Sequence, residues 1–237
     1  MVLATLPSKA STTVKKTIIV FCREPVPGET KTRLIPRLGA SNAAAIAEAF
    51  TEDALAKAKT IGLPIAIAGS GPRGAAGSRY FRAIARRFGT ALVEQGEGTL
   101  GMRMERALAP FLPGGAILIG TDTPSIPARL VRRNLTRLRT APVVLGPSLD
   151  GGYYLVGVRG AMPDIFRGVR WGGARVLEQS VTRIRRAGVR YALGPSWYDV
   201  DRWSDLVLLA AHLRQDGARE ANPCPATARI LRRLGLL

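Results

Sequence analysis

Residues 116–124 read Ala116-Ile117-Leu118-Ile119-Gly120-Thr121-Asp122-Thr123-Pro124. The short apolar run closed by a glycine predicts a buried strand over 116–119. Asp122 stands just past its end, and open α/β sheets bind ligands at the carboxyl ends of their strands. In a chain with 17 acidic against 35 basic residues, a carboxylate at that place points to a divalent cation held against a phosphate. The plainer alternatives are a cap for a helix starting near Pro127 or an Asx turn with Thr123.

Outward from this point, short β-branched runs alternate with helical patterns. Strands are predicted over 17–21, 64–68, 91–93, 116–119, 142–145 and 153–158, and helices over 40–59, 78–88, 100–112, 127–138, 173–187 and 204–213. Such alternation implies a mostly parallel sheet covered on both faces, joined by right-handed crossovers. Ser41 is the expected N-cap of its helix, Pro127 a first-turn residue, and Gly188 a C-terminal stop. The link 146–152 is too short for a helical crossover, so it turns a hairpin or runs across the active edge of the sheet.

Length and composition place the rest. The 237 residues, 46% hydrophobic with regular Gly and Pro, suit one domain over 17–237 preceded by a flexible leader over 1–16. The leader has no continuous apolar core of a signal peptide, and no run reaches the length of a membrane span. Cys22 and Cys224 lie too far apart for a metal knuckle or a disulfide framework, which fits a reducing cytoplasm. The net charge of +18 invites a nucleic-acid reading. Arg129, Arg132, Arg133 and Arg137, however, fall on one face of a helix opposite Leu130, Leu135 and Leu138, with no aromatic stacking platform in a chain only 6% aromatic. A basic outer surface that attracts anionic small molecules is the better reading.

Four further segments carry chemistry. The loop Arg23-Glu24-Pro25-Val26-Pro27-Gly28-Glu29-Thr30-Lys31-Thr32-Arg33-Leu34 offers Lys31 as a mobile point charge and Arg33 as a planar fork, suited to a diphosphate. It is neither a Walker loop nor a GxGxxG fingerprint. Gln95 to Met104 leads glycines, Gly101 among them, into a helix N-terminus where backbone N–H groups attract anions, and Arg103 in that first turn is expected to serve a ligand or a carboxylate. In 146–154, Asp150 accepts acceptor hydroxyls, acts as a general base, or stabilises its turn, while Gly151 and Gly152 permit close backbone approach beside Tyr153. Trp197-Tyr198-Asp199-Val200-Asp201 supplies carboxylates for a shared Mg²⁺ or Mn²⁺. Asp205 reads as a first-turn acid and His212, the one histidine, as a surface or core-edge residue.

PVPGETKTRL at 25–34, QGEGTLGMRM at 95–104, GTDTP at 120–124, LGPSLDGGYYLVG at 145–157 and DVDRWSDL at 199–206 together resemble a bacterial family of glycosyltransferase-A-like nucleotide-diphospho-sugar transferases. Some members of that family are associated with arsenosugar biosynthesis. The resemblance implies a Rossmann-like α/β/α sandwich that binds a nucleoside diphosphate-sugar with Mg²⁺ or Mn²⁺ and passes the sugar to a small acceptor. It implies Asp122 at the acidic metal position, where it serves catalysis as a metal ligand, Lys31 and Arg33 beside the phosphates with Pro27 and Gly28 in their loop, and Gly101 and Arg103 on the nucleotide side. Asp150 becomes the acceptor-side base, flanked by Gly151, Gly152 and Tyr153. Related nucleotidyltransferases carry a terminal V-D-T-P-E-D-L motif whose first Asp binds metal; Val200-Asp201 and Asp205-Leu206 fit that frame and make Asp201 the second metal candidate. The KTRL loop also resembles phospholactate guanylyltransferases, so joining an NTP to a phosphorylated or carboxylated acceptor is the rival reaction. A non-catalytic nucleotide- or nucleic-acid-binding module is the third reading. Thr99 replaces the Asp that many relatives carry before Leu-Gly, and Glu24 adds a charge, read as paired with Arg23, near the phosphate loop.

Overall fold

The structure is a computed structural model that describes residues 16–216 and 222–237. The expected leader, apart from Lys16, lies outside the described residues. The chain runs β1 (Thr17–Arg23), α1 (Ile35–Leu38), α2 (Ala40–Ile61), β2 (Ile65–Ser70), α3 (Gly74–Gly77), α4 (Arg79–Phe88), β3 (Ala91–Glu94) and α5 (Leu100–Leu108). It continues through β4 (Ala116–Gly120), α6 (Ala128–Arg137), β5 (Val143–Pro147), β6 (Tyr153–Val158), α7 (Val176–Arg186), β7 (Tyr191–Leu193), α8 (Trp203–Asp216) and α9 (Pro225–Arg233).

The strands form one sheet in the order β3-β2-β1-β4-β6-β5-β7. β1 pairs parallel with β2 and β4, β2 with β3, and β5 with β7. β6 is antiparallel to both β4 and β5, because the short link after β5 returns the chain by a hairpin. β1 sends its successor to one side and β4 lies on the other, so the connections leave in opposite directions and open a crevice at the strand ends.

Period-2 alternation sorts the strands between two faces. Ile18, Val20, Ile117 and Ile119 face Leu55, Phe81 and Val131 of α2, α4 and α6. Ile19 and Leu118 face Met104, Leu108 and Ile184 of α5 and α7. The result is the expected α/β/α sandwich with a mostly parallel sheet. On α6, Arg129, Arg132 and Arg133 are exposed while Val131 and Leu138 are buried, as their spacing predicts. No helix among the described residues is long and apolar enough to cross a membrane.

Several local expectations are corrected. The helix α2 begins at Ala40 as expected, but its N-cap is Gly39, two residues before Ser41; the φ of 77° and ψ of 160° there suit glycine. Pro127 is itself the N-cap of α6. The helix expected over 100–112 stops at Leu108 and tightens into a 3₁₀ turn over Ala109–Phe111, where Pro110 cannot donate to the ladder. β7 and α9 were not foreseen. β7 is three residues long and only partly buried, and α9 begins at a proline that reads as a tail until its anchor is seen. That anchor is Asp53, whose carboxylate accepts from Ala226 N at 2.9 Å, Thr227 N at 2.8 Å and the Thr227 hydroxyl at 2.6 Å. α9 thereby joins a third cluster with Leu34, Ile46, Phe50, Val200 and Leu206.

Candidate active site

A cavity of about 550 Å³ opens at the carboxyl ends of β1 to β4, lined among others by Lys31, Arg33, Gln95, Arg103, Asp122, Tyr153, Asp199 and Asp201. Its position is the crevice that the topology creates. The loop leaving β1 is folded on the buried Thr30, whose hydroxyl donates to Glu24 O at 3.0 Å and accepts from Val26 N at 3.1 Å. This knot throws Lys31 into the left-handed region, with φ 49° and ψ 43°, a conformation found among the described residues in no other non-glycine. The side chain then runs inward, with only 7% of its surface exposed.

Segment 197–201 is extended along the sheet ends. Trp197 bridges Ser148, Leu149 N donates to Trp197 O at 3.1 Å, and Val200 N donates to Asp122 O at 2.8 Å. Alternation sends Val200 into the third cluster and turns Asp199 and Asp201 toward the cavity. Ser125 and Tyr198 reinforce the junction, with their hydroxyls 2.8 Å apart, and Trp197 Nε1 donates to Ser125 at 3.2 Å. From below, the buried Lys57 donates to Pro124 O at 2.6 Å.

These ties bring Lys31, Asp122 and Asp201 together. Lys31 Nζ lies 2.6 Å from Asp122 Oδ1, 2.7 Å from Asp201 Oδ1 and 2.8 Å from Val200 O. Burial acts to lower the lysine pKa, but the two carboxylates, by charge and by hydrogen bond, outweigh it and hold the ammonium above its ordinary value. Lys31 is therefore caged rather than mobile, which corrects the sequence expectation. Arg33 remains exposed, 4.0 Å from Asp201 Oδ2. Asp205 closes the entry to α8 by accepting from Asp201 N at 3.0 Å and Arg202 N at 2.8 Å.

Asp199 reads from sequence only as one member of the 197–201 carboxylate cluster, with Asp201 preferred. Burial, then the charges of Asp150, Asp122 and Asp201, push its carboxyl up to about 8 against the opposing charge of Lys31. Asp150 is exposed and accepts from Gly152 N at 2.9 Å, the Asx geometry of a tight turn. Gly151 packs against backbone: a Cβ there would lie 1.9 Å from Ala174 O, and its φ is +89°. Tyr153 lines the cavity with a buried hydroxyl.

Arg103 donates to Gln95 Oε1, an amide rather than a ligand carboxylate, and lies over the Phe21 ring at 5.8 Å. Its Nε is buried without a partner. Gln95 in turn donates to Cys22 O at 2.9 Å and Ala68 O at 2.7 Å, locking the ends of β1 and β2. Thr99 caps α5 by accepting from Met102 N, which gives it a local role. Gly101 packs against Trp171 and Phe166 outside the cavity lining, and Pro27 and Gly28 also lie outside it. Arg23 pairs with Glu29 at 3.6 Å, not with Glu24, whose carboxylate lies against Gly71.

A divalent cation fits this donor set as a partial shell. Asp122, Asp201 and the Val200 carbonyl are hard oxygen donors around one point. Among the described residues no group of three or more His, Cys, Asp or Glu is arranged to hold a metal, so phosphate oxygens and water would complete its coordination.

Comparison with solved structures agrees with the fold. A protein from Desulfovibrio desulfuricans G20, described as a "putative nucleotide-diphospho-sugar transferase", is 30% identical, with 93% of this chain and 96% of that one covered at a TM-score of 0.80. A nucleotidyl transferase from Methanothermobacter thermautotroptrophicus is 15% identical over 85% of this chain and 99% of that one, at a TM-score of 0.52. Glucosyl-3-phosphoglycerate synthase from Mycobacterium tuberculosis, in complex with Mn²⁺, UDP and glucosyl-3-phosphoglycerate, is 10% identical over 87% of this chain and 81% of that one, at a TM-score of 0.51. No curated protein matches the chain. The family model described as "Uncharacterized protein conserved in bacteria (DUF2064)" matches residues 51–173, which hold β2 to β6, Asp122 and the Asp150 loop, and the chain belongs to that family.

Proposed function

We propose that this protein is a metal-dependent glycosyltransferase that moves a sugar from a nucleoside diphosphate-sugar to a small acceptor. The observation that carries the reading is the meeting of Lys31, Asp122 and Asp201 at the crevice between β1 and β4. Lys31 and Arg33 offset charge building on the departing diphosphate, the electrostatic contribution that commonly dominates such transfers. Asp122 and Asp201 would hold Mg²⁺ or Mn²⁺, which supplies Lewis-acid neutralisation of the same oxygens. Asp150, in the exposed turn after β5 and outside the cavity lining, would take the proton of the acceptor hydroxyl. The 30% identical relative, by its description, supports the sugar-nucleotide substrate.

Nucleotidyl transfer is the second reading, favoured by one feature: the partner of Asp122 is Asp201, in the Val200-Asp201 frame that resembles the terminal motif of nucleotidyltransferases. Incubation with NTPs and acid acceptors, against NDP-sugars and hydroxyl acceptors, separates the two, because pyrophosphate appears only under the second. Metal-dependent nucleotide affinity in folded Asp122→Ala tests the site common to both. Loss is expected; undiminished affinity removes Asp122 from its role.

A further inference from the structure

The Lys31 ammonium has three protons, and the structure gives it three oxygens: Asp122 Oδ1 at 2.6 Å, Asp201 Oδ1 at 2.7 Å and Val200 O at 2.8 Å. Its donors are saturated, and none is left for a phosphate. The same three oxygens are the donor set argued above for a divalent cation, which binds oxygen at about 2.0–2.1 Å in the case of Mg²⁺. An ion bonded to them would fall where Nζ now lies. The Phe50 ring, 5.2 Å from Nζ, flanks the ammonium in this place. Two carboxylates share one buried lysine there, with the exposed Arg33 reaching only Asp201 at 4.0 Å, so the cage favours a doubly charged ion once the lysine leaves.

We propose that Lys31 is a tethered cation that fills the Asp122–Asp201 site in the free protein and competes with a divalent metal for it. The lysine gives way when a nucleotide diphosphate offers its ammonium new oxygens; this second half rests on the function proposed above. Nucleotide and metal then bind with positive coupling, and each raises the affinity of the other by the same factor. The metal-free protein is thereby kept from presenting two bare carboxylates to an anionic substrate.

The test is Mn²⁺ binding followed by water proton relaxation enhancement, in the wild type and in Lys31→Met and Lys31→Gln, with folding checked by thermal melts. Without nucleotide, both variants are expected to bind Mn²⁺ about tenfold or more tightly than the wild type. Adding Asp201→Asn to Lys31→Met is expected to abolish the gain. Equal Mn²⁺ affinity in wild type and variants, or a gain that survives Asp201→Asn, overturns the proposal. Tight Mn²⁺ binding by the nucleotide-free wild type does so without any variant. UDP, CDP, GDP and ADP are then added to the wild type, and one of them is expected to raise Mn²⁺ affinity. If the variants gain Mn²⁺ while no nucleotide acts on the wild type, the tethered cation stands and the nucleotide diphosphate reading falls.

Discussion

Replacing Lys57 by Met tests how the acid loop after β4 is supported. Lys57 projects from α2 into the interior, 7% exposed, and donates to Pro124 O at 2.6 Å, two residues from Asp122. Burial lowers its pKa from 10.5 to about 8, against the neighbouring Cys224 and Asp53 charges. In the unfolded chain the ammonium keeps its ordinary value. Between about pH 8 and 10.5 the unfolded state therefore binds one more proton than the folded state, and stability contributed by this residue rises with pH, by about 1.4 kcal/mol per pH unit. Over the whole interval from about 8 to 10.5 the gain amounts to about 3 kcal/mol. Below it both states are protonated and the slope vanishes.

Loss of the bond to Pro124 O is a separate effect, of about 1–3 kcal/mol, with no such pH dependence. The assay is urea unfolding of wild type and Lys57→Met from pH 7 to 10, read as the difference between the two proteins so that other titrating groups cancel. The wild type is expected to gain on the variant steadily above pH 8. A difference that stays flat refutes the lowered lysine pKa. The variant is also expected to bind nucleotide more weakly at every pH, because the carbonyl that fixes the Asp122 loop loses its donor.

Gly151→Ala is expected to destabilise the protein by about 2 kcal/mol or more, since the new Cβ meets the Ala174 carbonyl at a positive φ that L side chains rarely adopt; an unchanged melting temperature would contradict the close approach. Gln95→Leu removes the donor to Cys22 O and Ala68 O and the acceptor for Arg103. A loss of about 1–3 kcal/mol in urea unfolding is expected, together with weaker nucleotide binding; wild-type stability would show that the strand ends do not need it. Asp199→Asn tests the raised carboxyl: between its ordinary 3.8 and about 8 the folded wild type holds a proton the unfolded chain has lost, so its stability falls as pH rises. The variant is expected to gain on the wild type from pH 5 to pH 8, and equal differences at both would refute the shift.

The sheet was legible because its strands are short apolar runs separated by helices long enough to cross over, and β6 alone lacked that separation. β7 and α9 escaped because each depends on a distant partner: β7 on β5, α9 on the carboxylate of Asp53. In the site, Asp122 and Lys31 were legible from position, each just past a strand. Asp201 was legible from the frame of its motif. Asp199 was not, since nothing in its spacing sets it apart from Asp201. Its special state arises first from burial and then from the charges of Asp150 and Asp122, which the Trp197–Ser148 bridge and the Val200–Asp122 bond bring near it. The cage around Lys31 was equally hidden, because a loop rich in Pro and Gly reads as open and mobile until Thr30 is seen to fold it.

The chain is basic overall, whereas its cavity sets Arg23, Lys31, Arg33 and Arg103 against Glu29, Asp122, Asp199 and Asp201. The net charge is +18, and the exposed arginines of α6 contribute to a surface that draws anions from a distance. Inside, Asp122 and Asp201 meet at Lys31, Arg33 stands 4.0 Å from Asp201, and Asp199 feels the charges of both acids, so under the proposed function a diphosphate would meet carboxylates at this point. Burial already relieves one of these charges by keeping Asp199 protonated to about 8. The remaining pair, Asp122 and Asp201, shares one caged lysine, with Arg33 at 4.0 Å from Asp201. Under the proposal above, drawing that lysine toward phosphate oxygens would uncover the pair, and a cation arriving with the nucleotide would cover it again. Attraction at long range and acids at short range would then favour a nucleotide diphosphate that arrives with a bound divalent cation over one that arrives bare.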